Sequence, residues 1–132
     1  MNGNETIYNP ALQRNIRMLA GASVVLSFAG LHVLGAQAFA VGLFSSPWDK
    51  LAHVMAFALI GGAFGLATGT RGWRRAICCV AGAVLAGALD EWHQAYLPGR
   101  NASWVDLLAD TAGGVLAAAL LRLECWLVHR RT

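Results

Sequence analysis

Charge is the scarcest property of this chain. Of its 132 residues only 13% are Asp, Glu, Lys or Arg, about half the share of an ordinary soluble domain, and Lys50 is the single lysine. The apolar residues, 57% of the total, fall in long runs without acid or base, a membrane pattern rather than a soluble core under a mixed surface. Cysteine is limited to Cys78, Cys79 and Cys125. They form no C-x-x-C pair, and there is no H-E-x-x-H, which excludes the commonest thiolate and zincin metal motifs. The three thiols read as small apolar packing residues. Pro10, Pro47 and Pro98 border apolar runs and interrupt none. No linker, low-complexity segment or nucleic-acid motif is present. The formal charge of +3 and the pI of about 9.1 come from short arginine clusters beside apolar runs, placed for topology and anionic headgroups. No nucleic-acid partner is expected.

Residues 1–17 form a short polar N-terminal tail, with Asn2, Asn4, Glu5, Asn9-Pro10 and then Arg14 and Arg17. Residues 18–132 form one membrane domain. The first apolar run, 18–48, has no ionisable side chain except His32, and it exceeds the roughly 20 residues that a spanning helix needs. Arg14, Arg17, the run and Ala36-Gln37-Ala38 together resemble a secretory signal, but the run is long for one, and the helix is expected to be retained. The second span is 51–70, ended by the basic turn Arg71-Gly72-Trp73-Arg74-Arg75; the third runs from Ala76 to about Leu97 and is stopped by Pro98-Gly99; the fourth runs from about Ser103 to Val128. The expected fold is therefore all-α: a polytopic four-transmembrane-helix bundle. Arg14, Arg17, Arg71, Arg74, Arg75, Arg122, Arg130 and Arg131 fall at one membrane side, against Lys50 and Arg100 at the other. The positive-inside rule then places both termini in the cytoplasm. Gly61-Gly62, Gly65, Gly82, Gly87 and Gly113-Gly114 supply small faces for close helix approach, which serve packing and could also pair copies of the chain. Ser23, Ser27 and Gln37 read as helix–helix hydrogen-bonding groups.

What is present in place of general charge is a concentration of it. The two loops opposite the arginines, with the helix ends beside them, carry Asp49, Lys50, His53, Asp90, Glu91, His93, Gln94, Arg100, Ser103, Asp106 and Asp110. Ionisable groups within a membrane segment cost about 2.5–3.5 kcal/mol each on insertion scales, so they are functional candidates. Asp49 and His53 share a helix face at i, i+4, as do Asp90 and Gln94. Ser103, Asp106, Asp110 and Gly113 make one stripe. Asp90 lies about 10 Å below Leu97 along the helix, too deep to face lipid. These groups are expected to converge in a polar cavity between helices. His93 reads as an interfacial or hydrogen-bonded residue, and His32 as packing against a polar group on another helix.

The residues D-K-L-A-H at 49–53, D-E-W-H-Q at 90–94 and P-G-R-N-A-S-W-V-D at 98–106, followed by a helix with a glycine pair, resemble the VanZ-like family. These are small bacterial membrane proteins named after a teicoplanin-resistance protein. The resemblance covers 47 to about 120 and leaves the first helix aside. Asp110 stands where the family pattern usually has Asn. The resemblance implies a multi-pass protein of the bacterial cytoplasmic membrane with a cell-envelope or glycopeptide-response role, and no particular reaction.

Three uses of the constellation remain open. In the first, an anionic lipid-linked substrate is hydrolysed or transferred. Glu91, Asp90, His53 and Asp106 then carry acid–base work, while Arg100, Lys50, Asp49, Gln94, Ser103 and Asp110 bind, Arg100 as a phosphate clamp. In the second, a non-catalytic binder or transporter-like protein, the same groups hold a membrane lipid or a lipid-linked cell-wall precursor without turnover. In the third, they only lock the bundle, Arg100 pairing with Asp106 or Glu91 and Gln94 with Asp110. Asp49, His53, Glu91 and Asp106 could also supply donors to a divalent cation, but without a motif behind them no metal ligands are assigned.

Overall fold

The computed structural model describes residues 9–130. Residues 1–8 of the expected tail, and Arg131 of the arginine set, lie outside the described residues. The chain folds into four helices: α1 (Pro10–Gly35), α2 (Trp48–Ala67), α3 (Gly72–Gln94) and α4 (Trp104–His129). Among the described residues there is no strand, and each helix is long and apolar enough to cross a membrane. The helices run alternately up and down. One end of the bundle therefore gathers the close of α1 and α3 with the start of α2 and α4, and the arginine clusters sit at the other end.

Both ends of α1 and the start of α3 differ from the expectation. α1 begins at Pro10, so Arg14 and Arg17 belong to the helix and not to a tail. The reason is local: Asn9 Oδ1 accepts from Leu12 N–H at 3.0 Å, and Pro10 at the first helical position has no N–H to leave unpaired. α1 also stops at Gly35, well before Pro47. The surplus of the apolar run becomes a separate loop, residues 36–47, with one 3₁₀ turn at Ala38–Ala40. The arginines at 74 and 75 likewise enter the first turn of α3. The tight reversal before it has Gly69 and Gly72 at φ +65 and +60, a region that side chains with a Cβ rarely adopt.

The core is built of small residues. Phe57, Ile60, Cys79, Ala83, Ala117 and Ala118 are buried, while Leu19, Leu26, Leu59, Leu85 and Leu108 point outward and are well exposed. An apolar exterior around a fine-grained interior suits a lipid surround, where helices associate by close packing and not by hydrophobic exclusion. The glycines show how close. A Cβ on Gly113 would lie 2.5 Å from the Val54 carbonyl oxygen and 2.7 Å from the Ala58 nitrogen. One on Gly61 would lie 2.6 Å from the Cys79 carbonyl oxygen. Thus α2, α3 and α4 pack backbone to backbone. α1 leans on α2, touches α3 lightly, and buries only Ala20. The expected glycine faces are therefore used inside the bundle. Ser23 and Gln37, expected to bond across helices, instead donate to Leu19 and Val33 carbonyls of their own segment.

The glycine argument has a direct check. Gly113→Ala must force α4 off α2 and is expected to lower stability by about 1–3 kcal/mol, read as a lower Tm in detergent. Gly21→Ala, where a Cβ meets nothing within 4 Å, should stay within about 0.5 kcal/mol of the parent.

Candidate functional site

At the end away from the arginine clusters a cavity of about 780 Å³ opens between α1, α2, α3 and the 36–47 loop. Its walls are of two kinds. Leu31, Leu34, Phe39, Val41, Phe44 and Leu97 make an apolar side, and Asp49, His53, Asp90, His93, Gln94, Arg100 and Asp106 make a polar one.

The polar groups form linked pairs. Lys50 Nζ donates to Asp49 Oδ2 at 2.8 Å and to Asp106 Oδ1, tying the first turn of α2 to the first turn of α4. One turn further along both helices, His53 Nδ1 donates to Asp110 Oδ1 at 2.7 Å. Asp110 is 0% exposed. It fits because Gly87 of α3 faces it; a Cβ there would fall 2.5 Å from Oδ2. On α3, Asp90 is buried and its Oδ2 accepts from Gln94 Nε2 at 2.7 Å. Glu91 is buried too, and its Oε2 accepts from the Ser103 backbone N–H. Ser103 also caps α4, its Oγ accepting from Asp106 N–H at 3.3 Å. Three carboxylate oxygens, Asp49 Oδ1, Glu91 Oε1 and Asp110 Oδ2, are buried without a hydrogen-bond partner among the described residues.

The structure brings together the candidates named from the sequence, with a different wiring. Asp49, His53, Asp90, Gln94, Arg100 and Asp106 line the cavity. Lys50 is bonded to two of them, and Glu91, Ser103 and Asp110 stand behind it. The purely structural pairing does not occur. Arg100 pairs with neither Asp106 nor Glu91; its Nη2 donates to the Gly35 and Ala40 carbonyls, each at 3.1 Å. Gln94 goes to Asp90 and leaves Asp110 to His53. Arg100 is thus the staple that joins the end of α1 to the 36–47 loop beside the cavity, with Nε buried and without a hydrogen-bond partner among the described residues.

The metal donor set is rearranged as well. Asp49 and Asp106 are held by Lys50, and the group whose ligand atoms lie within 4.8 Å of one another is His53, Glu91 and Asp110. A second convergent group is His32, Asp90 and His93. The rings of His32 and His93 stack with centroids 4.6 Å apart, and His32 Nδ1 lies 3.1 Å from the Phe28 carbonyl oxygen. His32 therefore does pack on a polar group of another helix, and that partner is His93. The α1 face and the loop residues Phe39, Val41 and Phe44 escaped the sequence reading. Only the uncharged surplus after residue 35 hinted at them.

A family model described as VanZ/LLP1 matches residues 6–127, a span that takes in α1 as well as the three helices that carry the motifs. No curated protein matches the chain, and no solved structure does.

Arg100→Met keeps the length of the side chain and removes the hydrogen bond to Gly35 at the end of α1 and the one to Ala40 of the loop. Bonds to a charged donor are worth about 1.5–3 kcal/mol. Hydrogen exchange at Ala40 and Leu43, whose N–H groups bond within the loop, should therefore quicken by about tenfold or more. Unchanged exchange would remove the staple from the account.

Proposed function

The chain belongs to the VanZ/LLP1 family, and from that premise we propose that it takes the headgroup of an anionic, lipid-linked envelope ligand into the cavity and catalyses hydrolysis or transfer there. It is a multi-pass membrane protein. The arginines of the far end favour a cavity that faces away from the cytoplasm, and the family's name fits a setting in the bacterial envelope linked to antibiotic resistance.

One observation carries the reading. His53 lines the cavity while its Nδ1–H is spent on a fully buried carboxylate, Asp110. A base whose second nitrogen is held by an acid is the arrangement that fixes an imidazole's tautomer and supports the imidazolium formed when it takes a proton. The free nitrogen can then accept a proton from water or from an acceptor hydroxyl. Lys50 and Arg100 are the cations within reach of an anionic headgroup, and the apolar side of the cavity suits the first carbons of its lipid. α1 meets α3 only lightly, which gives a chain from the bilayer a way in between them.

Binding without turnover is the second reading, and it has its own support. Lys50 already serves Asp49 and Asp106, and Arg100 already serves two carbonyls. A ligand must therefore compete for both cations.

The test uses purified protein in nanodiscs with labelled isoprenyl phosphates and diacyl phospholipids. Wild type is expected to form product, and His53→Gln to lose about 10²–10⁴ of the rate while still retaining lipid. Retention with no product from wild type would favour the binding reading. Neither retention nor product would overturn both.

A further inference from the structure

We propose that His53, Glu91 and Asp110 bind a divalent cation of the Zn²⁺ or Mn²⁺ class, one per chain, at the base of the cavity. The three residues come from α2, α3 and α4, so the ion would join the three helices that pack most tightly. Their ligand atoms lie within 4.8 Å of one another. Bonds of about 2.0–2.2 Å would need donor atoms roughly 3.3–3.6 Å apart around a tetrahedral ion, a distance that side-chain rotation can reach. One imidazole with two carboxylates is a mixed nitrogen and oxygen set. It suits borderline divalent ions better than Mg²⁺ or Ca²⁺, which favour all-oxygen shells.

The independent observation is the unspent bonding capacity. Asp110 Oδ2 and Glu91 Oε1 are buried without a partner among the described residues, on residues 0% and 7% exposed. Leaving a buried carboxylate oxygen unpaired is costly. The nearby cations do not relieve it, because Lys50 is bonded to Asp49 and Asp106 and Arg100 to the Gly35 and Ala40 carbonyls. Two acids facing one histidine carry an excess negative charge, which a divalent cation would balance. A supporting group is already in place: the Ser103 N–H fixes the other oxygen of Glu91, and such bonds orient the carboxylates that hold metal ions. The absence of a Cβ at Gly87 leaves the space that Asp110 Oδ2 occupies.

The inference rests on the catalytic reading for its reaction and gives the base's part to a different group. With the ion in place His53 is a ligand, and the ion in its stead would acidify a bound water. Cation binding itself does not depend on any lipid reaction, so the two can fail separately.

The test takes the full chain, purified with a tag that contains no histidine and without chelator, loaded with Zn²⁺ or Mn²⁺ and desalted. Metal content, calorimetric affinity and Tm are then measured. Wild type is expected to hold one equivalent and to gain Tm on loading. Glu91→Gln and Asp110→Asn should weaken affinity at least about 100-fold, and Glu91→Gln, which removes an excess buried charge and keeps an acceptor for the Ser103 N–H, should melt without metal no lower than wild type. His93→Gln should keep the ion, which separates this site from the His32, Asp90 and His93 group. A wild type that holds no ion and gains no Tm would overturn the proposal, whatever the variants do. So would an ion lost in His93→Gln and kept in Glu91→Gln. Ion binding without lipid turnover would sustain the cation site and sink the catalytic reading. Turnover by a wild type that takes up no ion on loading would do the reverse.

Discussion

Asp110 has no contact with solvent, and its carboxylate meets α2 through His53 and α3 across the gap left by Gly87. An acid so placed in a membrane helix must be held by other groups of the protein, because lipid offers it nothing. The rest of the polar end follows from that requirement. Lys50 spans Asp49 and Asp106 one turn nearer the end. Glu91 is anchored by the backbone that starts α4. Asp90 is covered by Gln94. Each pairing crosses between helices or closes on a helix end, so the polar groups also set how the helices are rotated about their axes.

That arrangement needs backbones close together, and the glycines provide it. Gly113 lies against α2 and Gly61 and Gly114 against α3, which leaves little room for large side chains in the core. The chain thus has tight helix contacts along most of its length and a cavity at one end, where α1 and the 36–47 loop stand off from the other three helices. Buried ion pairs are weak stabilisers. A protein of this size would gain more from replacing them with apolar residues, and their retention around a cavity is the physical ground for assigning them a function.

Much of this was legible in the residues. The charge-free runs mark four helices. The stripe Ser103, Asp106, Asp110 and Gly113 works as its spacing implies, since each member faces the bundle and meets α2, α3 or the start of its own helix. The i, i+4 link of Asp90 to Gln94 is also as the spacing implies. What spacing along one helix cannot give is the rotation of one helix against another. The bundle-locking alternative therefore pairs Arg100 with carboxylates where it binds carbonyls, and Gln94 with Asp110 where it bonds to Asp90. The end of α1 was hidden for another reason. Apolar residues serve equally in a lipid-facing helix and in a loop folded over a cavity, so nothing in 18–48 announces the break at Gly35. The match of His32 with His93 was invisible without that geometry.

The central claim is that the polar end encloses water-accessible space, while the outer faces of the same helices meet lipid. Cysteine placed along α2 tests it most directly, in protein whose Cys78, Cys79 and Cys125 have been replaced by Ala, in proteoliposomes with a charged thiol reagent on both sides. Ala52 and Ala56 line the cavity, whereas Met55 and Leu59 point outward and are 54% and 72% exposed. The account predicts fast labelling of cysteines at 52 and 56 and little at 55 and 59. Labelling at 55 and 59 with none at 56 would contradict it.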